Sequence, residues 1–466
     1  MLIVQIHNTI SGRSEPFVPQ HGKEIRMYVC GITPYDKSHL GHARTIIAFD
    51  VIRRYFIFQG FEVTYVQNVT DIDDKIIRRA HERKMPPLQL SKKYTEESAR
   101  EFALLGVIRP DFEPKVSESI PEIIKLIGRI EKNGYAYKTD SGVYFDVMKF
   151  RGYGSLSGQS LEQIKSGARI EVDEKKKNPQ DFALWKAGEE EGVTFDSPWG
   201  RGRPGWHIEC SAMSTSRLGD TLDIHGGARD LIFPHHENEI AQSEAATGKP
   251  FVRLWMHTGF LTVNNEKMAK SLGNFITIED ALKKFSPKQI RMFFALAHYR
   301  SPIDFSESAI VSAGNSLASL HSAISSARTY SSDAAGDGKL PEAANEAERQ
   351  FVSCMDNDFD TPNAIAALFS LAKRISGACS EASASEKEVK GAAATLEKLL
   401  DVFGLAPQKE APSAFSEKEI SELIFKRDAA RKAKDFATSD SIRRKLSDAG
   451  VLLEDRKDGT TLWRRK

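Results

Sequence analysis

Two histidines and two lysines of this chain stand in stretches whose residue types suit phosphate chemistry. The first stretch is SHLGH, Ser38 to His42, between a strand-like run closed by Cys30 and Gly31 and a long helical pattern. A helix start presents unpaired backbone N–H groups and the positive end of the peptide dipoles, and both suit an anion. His39 and His42 can face that anion together, and Gly41 lets it approach the backbone closely. The same two histidines serve equally well as caps or packing groups of a helix start. The second stretch is NEKMAKSLGN, with Lys267, Lys270 and Ser271 in a polar, glycine-flanked loop. Two lysines three apart can grip a polyphosphate and neutralise charge that develops on it, or form an ordinary solvated surface. Taken together, the two motifs favour the phosphate reading of both.

A second chemistry is available to Cys30, Cys210, His235 and Glu239. His235 and Glu239 stand four apart at the start of a helical pattern, so they share a face. Thiolate and imidazole are preferred zinc donors, and a Cys, Cys, His, Glu set fits a zinc coordination sphere. The spacing is not that of a paired-cysteine knuckle, so packed cysteines beside a surface His–Glu pair remain the alternative. A third chemistry belongs to the C-terminal basic cluster of Lys426, Arg427, Arg431, Lys432, Lys434, Arg443, Arg444 and Lys445, with Phe436 and Trp463 nearby. Such residues hold RNA through phosphate contacts and base stacking. Interleaved Asp428, Asp435, Asp440 and Asp448 allow a merely solvated helical face instead.

These residues need elements to position them. EIRMYVCG reads as a strand, HLGHARTIIAFDVIRRYFIFQG as a helix stopped at Gly60, FEVTYVQNV as a strand, and DIDDKIIRRAHERK as a helix with an acidic start. That alternation predicts an α/β fold with a parallel sheet. YAYKTDSGVYFDV reads as a hairpin within an insertion, after which the α/β frame resumes near Pro204 and runs to Phe305. Residues 306–404 are rich in Ala, Ser, Leu and Glu and predict a helical bundle, with a loop at 331–343. A Pro/Ala linker at 404–415 precedes a small basic domain with helices in KRDAARKAKDF and SIRRKL. The expected domains are 1–305, with an insertion at about 110–203, then 306–404 and 415–466.

The bulk numbers exclude several classes. At 466 residues the chain can build two to four cored domains. A net charge of +1 confines any nucleic-acid contact to local patches. No run of about 18 apolar residues spans a membrane, and MLIVQIHNTISG is too short and polar for a secretory leader. Four scattered cysteines make no disulfide framework, so a reducing, cytoplasmic setting is expected.

The order of the motifs resembles the cysteinyl-tRNA synthetases, class I aminoacyl-tRNA synthetases, along essentially the whole chain. MYVCGITPYD and HLGH resemble the family's zinc-cysteine strand and its HIGH signature. NVTDIDDKI, DFALWK, GRPGWHIECSAM, DIHGG and FPHHENEIAQS resemble its catalytic blocks, and KMAKSLGNF its KMSKS loop. HYRSPIDFS and MDNDFDTP resemble the entry to, and a block within, its helical domain; the C-terminal segment resembles its tRNA-binding tail. Two departures stand out: Ala269 replaces the middle serine of the KMSKS loop, and Ala228–Arg229 follow HGG where another glycine is frequent.

The resemblance implies a Rossmann-type catalytic domain with an insertion, a helical bundle and a small anticodon-binding domain. It implies zinc on Cys30, Cys210, His235 and Glu239, and ATP with magnesium at His39, Gly41 and His42. Lys267 and Lys270 would act on the phosphates, and Gly31, Thr70, Trp206 and His225 would hold L-cysteine. The implied reaction forms cysteinyl-adenylate and then esterifies the 3′ end of tRNA(Cys), in a chain expected to act as a monomer. Zinc would select the thiol, since shape alone separates cysteine from serine by only ~1–3 kcal/mol. A ligase passing the same adenylate to an amino-sugar would share the zinc and ATP motifs but lack residues 415–466.

Overall fold

The run EIRMYVCGI alternates its side chains between two apolar layers, and this places it at the centre of a sheet. Strand β1 (Glu24–Ile32) lies between β2 (Glu62–Val69) and β3 (Leu222–Ala228), with β4 (Val252–Thr258) outside β3. All these pairings are parallel. Met27 and Val29 point into one core, with Ile224, Leu254 and Met256. Tyr28 and Cys30 point into the other, with Val66, Leu222 and Trp255. This period of two is the physical reason that Cys30 faces the opposite layer from its neighbour Val29. The computed structural model describes residues 4–160, 162–163, 176–190, 192–264, 266–268, 274–407, 415, 417–433, 435–449, 451–455 and 461–465.

Helix α1 (Leu40–Phe58) follows β1 and buries Phe49, Ile52 and Phe56 against the first face. Helices α2 (Trp206–Leu218) and α3 (Glu237–Thr247) cover the second face with Ile208, Met213, Ile240 and Ala241. Between β2 and α2 lie helices Asp74–Arg83, Pro87–Leu104 and Ile120–Lys132. An antiparallel sheet follows them, formed by Ala136–Thr139, Gly142–Phe145, Phe182–Ala187 and Gly202–Pro204. The expected hairpin is its first pair of strands.

Beyond β4 the chain becomes helical, in Ile278–Lys284, Pro287–Ala295, Glu307–Thr329, Lys339–Met355, Thr361–Glu381 and Glu386–Val402. The loop expected over 331–343 is shorter, ending at Gly338 in the left-handed region (φ 75°). Leu340, Ala344, Ala347 and Phe351 carry a buried helical stripe through its predicted second half. The chain separates into two compact units, Met1–Ala406 and Pro407–Lys466. The smaller holds the helices Glu417–Lys432 and Phe436–Asp448 and an antiparallel hairpin, Val451–Asp455 with Thr461–Arg465, around Ile420, Leu446 and Val451. Among the described residues no helix is long and apolar enough to cross a membrane.

Two buried polar junctions bind the helical segment to α1 and to the N-terminal segment at His7 within the larger unit. Arg291 donates to Asp50 of α1 (2.5 Å), to the Phe403 carbonyl (2.7 Å) and to the Leu105 carbonyl (3.2 Å). Asp358, in the MDNDFDTP block, accepts from Arg300 Nε (2.7 Å), Tyr299 Oη (2.8 Å) and the His7 amide (2.9 Å). Arg44 of α1 reaches the same turn from the other side, donating to the carbonyls of Gly259 (3.0 Å) and Ser301 (2.5 Å).

Candidate metal centre and active site

Four elements bring donor atoms to one buried point on the second face of the sheet. The β1–β2 register shifts between Val29 and Ile32, and Cys30 sits in that irregularity. Cys210 lies one turn inside α2. His235 and His236 end the tight turn Ile232–His236, and Glu239 follows in the first turn of α3. Gly205 makes the entry of α2 possible, because a Cβ there would sit 1.9 Å from the Ala183 carbonyl oxygen.

Cys30, Cys210, His235 and Glu239 each offer one ligand atom, all within 4.8 Å of one another and all buried. The two Sγ atoms are 3.9 Å apart, Cys30 Sγ is 3.6 Å from Glu239 Oε1, and His235 Nε2 is 3.1 Å from the same oxygen. A tetrahedral zinc with its usual bond lengths separates paired sulfurs by roughly 3.8 Å and nitrogen from oxygen by roughly 3.4 Å. The donor set therefore fits a zinc-sized cation in both chemistry and span. The structure adds a residue that sequence spacing missed: Cys30, His225, His236 and Glu239 form a second buried set sharing two members with the first. The dipeptide HH at 235–236 was the available signal, since i,i+3 and i,i+4 both reach Glu239.

The surrounding hydrogen bonds favour the first set. His225 Nε2 lies 2.9 Å from Glu239 Oε2, which leaves Oε1 aimed at the thiols and His235. His236 is held at both ring nitrogens, by Cys30 Sγ (3.3 Å) and by His257 Nε2 (2.7 Å), and His257 in turn meets Thr9 Oγ1 (2.8 Å). His207 Nδ1 meets His235 Nδ1 at 3.0 Å. Such outer partners fix ring orientation around a metal. Donation from Cys30 lowers the Cys210 thiol to about 6, whereas burial and the adjacent Cys210 raise Cys30. Burial opposes charge on His235, yet Glu239 and Cys210 outweigh it and hold the imidazole at about 10. Burial also opposes charge on Glu239, which His225 and His235 nevertheless hold at about 2.

The remaining residues expected at the site are distributed around this cluster. Trp206 stacks on His235 (ring centroids 4.5 Å apart) and is 37% exposed, so it connects the buried donors to solvent. His225 is fully buried against Tyr28 and Trp255. Asn68, absent from the sequence reading, links two others: its Oδ1 accepts from the Gly31 amide (2.9 Å) and its Nδ2 donates to Thr70 Oγ1 (3.1 Å). A Cβ on Gly31 would lie 1.7 Å from the Asn68 carbonyl oxygen, so only glycine permits that approach.

His39 and His42 cap α1 as well as marking its start. Each ring accepts from the other's backbone amide (3.3 and 3.4 Å), and the rings stack at 3.7 Å. Burial, then His39 and Lys75, push His42 well below its ordinary pKa, so it is neutral near pH 7. The loop after β4 returns to this point. Lys267 pairs with Thr262 in a short ladder, and the Met268 methyl would lie 3.4 Å from a Cβ on Gly41. Leu40 donates to the Ile276 carbonyl (3.1 Å), and His39 bridges Thr277. Lys270, with Ala269 and Ser271, lies outside the described residues. In the small unit Arg427 is 2% exposed and donates to Asp428 and Thr461, and Trp463 packs on the apolar core. Lys426, Arg431, Arg443, Arg444 and Lys445 are exposed, as are Phe425 and Phe436. Lys434 and the side chain of Lys432 lie outside the described residues.

Comparison with known proteins identifies the fold and the family. Residues 16–315 match the model of the class I (C) tRNA synthetase catalytic domain, and residues 350–407 match the DALR domain. The cysteine--tRNA ligase of Anoxybacillus flavithermus is 46% identical over 99% of both chains. That of Thermococcus onnurineus is 45% identical over 100% of this chain and 99% of its own. A solved Mycobacterium tuberculosis methionyl-tRNA synthetase with methionyl-adenylate shares the fold, with a TM-score of 0.60 at 16% identity over 82% of this chain and 90% of that one. The chain belongs to the cysteine--tRNA ligase family of class I aminoacyl-tRNA synthetases.

Proposed function

We propose that this chain activates L-cysteine with ATP and transfers it to the 3′ end of tRNA(Cys), with a zinc ion selecting the substrate thiol. The observation that carries the reading is the buried set Cys30, Cys210, His235 and Glu239, which a zinc-sized cation fits. Bound there, zinc supplies a soft Lewis acid that takes a thiolate in preference to a hydroxyl. The protein's own work is positioning. Trp206 borders the path to the cluster, and Gly31 and Thr70 sit on Asn68 at the end of β1 and β2.

The cysteine carboxylate then attacks the α-phosphorus of ATP, releasing pyrophosphate. Alignment and charge stabilisation supply most of the acceleration in such a step. Neutral His42, with His39, the α1 N-terminus and Gly41, binds the phosphates. Lys267 and Lys270 neutralise the charge that moves onto pyrophosphate, with magnesium accompanying ATP. The exposed cations of the small unit bind tRNA. The two thiols must stay reduced, so the reaction runs in a reducing, cytoplasmic compartment, and one chain carries every proposed function. Cysteine-dependent ATP–pyrophosphate exchange by zinc-loaded protein tests the first step. Its absence rejects the reading; exchange without charging of tRNA(Cys) rejects the second step alone.

A further inference from the structure

Helix Pro87–Leu104 turns a polar edge toward the core. Its buried residues include Ser91, Ser98 and Glu101 beside Leu90 and Tyr94. Polar groups on a buried helix face carry a desolvation cost unless they make hydrogen bonds. Ser98 does so: its hydroxyl lies 2.7 Å from that of Ser38, and both residues are 2% exposed. Ser38 immediately precedes His39, and its carbonyl accepts from the Ile278 amide (3.0 Å). Ile278 opens the helix that follows the lysine loop, where Thr277 caps the first turn by accepting from Asp280. Three consecutive backbone contacts (Leu40 to Ile276, His39 to Thr277, and Ile278 to Ser38) thus join the two phosphate-binding segments, and Ser98 pins the joint.

Glu101 lies one turn further along the same helix face. It is 6% exposed, and neither carboxylate oxygen finds a well-formed hydrogen bond. The charged groups acting on it are Glu97 on its own helix, Glu279 on the helix after the lysine loop, and Lys37, which is ion-paired to Glu279. Burial and the two carboxylates raise its pKa to about 7, against the pull of Lys37 and the Glu279 backbone.

We propose that helix Pro87–Leu104 is a positioning element for ATP, in which Ser98 and Glu101 hold the histidine segment and the exit of the lysine loop in one register. The proposal rests on the ligase reading above. Neither residue touches substrate, so both act through Ser38 and Glu279. Ionised Glu101 repels Glu279 and loosens the joint, while protonated Glu101 leaves it closed.

Steady-state ATP–pyrophosphate exchange on zinc-loaded full-length protein, at saturating magnesium, tests this. Ser98→Ala leaves the Ser38 hydroxyl without its partner, and kcat/KM for ATP should fall about five-fold, the equivalent of one net hydrogen bond. KM for cysteine and zinc content should stay at wild-type values. Glu101→Gln removes the titration, so the ratio of wild-type to variant kcat/KM for ATP should fall as pH rises from 6 to 8. Hydrogen exchange of the Leu40 and Ile278 amides should quicken in Ser98→Ala without any nucleotide. Wild-type kinetics for ATP in both variants would overturn the proposal, as would an equal rise in KM for cysteine, which marks general loosening. Absence of exchange in the wild-type protein would instead overturn the ligase reading, and this inference with it.

Discussion

At the residue scale, the metal cluster is a competition between a cation and protons. Without metal, His225 and His235 hold Glu239 at about 2, and Glu239 and Cys210 hold His235 at about 10, each against burial. The lowered Glu239 adds stability above its ordinary value of 4.5, and that stability is lost as pH falls toward 2. The raised His235 adds stability that is complete below its ordinary 6.5 and lost as pH rises through 10. The lowered Cys210 adds stability that is complete above its ordinary 9 and lost as pH falls through 6, so it offsets His235 between pH 6.5 and 9. Thermal unfolding of metal-free protein should therefore show stability nearly level from pH 6.5 to 9 and declining from 9 toward 10, and zinc should abolish that decline. Because His235 must lose a proton to become a ligand, zinc loading near pH 7 should release protons. Calorimetry in buffers of different ionisation enthalpy measures them. Cys210→Ser replaces a thiolate with a hydroxyl, and bound zinc should be lost together with at least ~100-fold in kcat/KM for cysteine. Full zinc content in that variant would move the assignment to the second set, Cys30, His225, His236 and Glu239.

At the scale of elements, α1 is the shaft on which the site is mounted. Its first turn carries His39 and His42, Arg44 grips the turn at 298–301, and Asp50 meets Arg291. The Asp50–Arg291 pair is almost fully buried on both sides, so breaking it strands a charge in a medium that solvates it poorly. Arg291→Met should cost ~3–5 kcal/mol, read as a lower urea midpoint, because Asp50 and the Phe403 and Leu105 carbonyls lose their donor. Asp358 serves the helical segment similarly, in a backbone of positive φ shared with Phe359 (57° and 54°). The sequence blocks HYRSPIDFS and MDNDFDTP, legible only as resemblance, are the two halves of that junction.

At the scale of the molecule, two units divide the labour. The larger contains every residue proposed for zinc, cysteine and ATP, while the smaller offers exposed Lys426, Arg431, Arg443, Arg444 and Lys445. Protein ending at residue 406 should retain cysteine-dependent exchange within a few-fold, yet lose most of its tRNA charging at low tRNA concentration. For the full chain, KM for tRNA should rise steeply with salt, as phosphate contacts require. Exchange lost along with charging would show that the small unit also supports the activation step.

Much of this was legible from residue types and periods. The alternation of EIRMYVCG and FEVTYVQNV determined a parallel α/β frame, because a buried strand must send side chains to two layers. The composition of 306–404, rich in Ala, Leu and Glu, pointed to helices, since these residues lose little side-chain freedom in a helix. The motif order determined the family. Tertiary structure alone decided which residues meet. Cys30 and Cys210 lie far apart in the chain, and only the β1 irregularity and the entry of α2 at Gly205 bring their sulfurs to 3.9 Å. His236 was signalled only by the HH dipeptide, and Asn68, Ser98 and Glu101 carried no legible signal, because their partners come from other elements and distance through space leaves no spacing along the chain. Arg427 and Trp463 read as surface groups, yet packing of the small unit buries the first and fits the second to its core. Periodicity reports which face a side chain takes; the fold alone reports what stands opposite it.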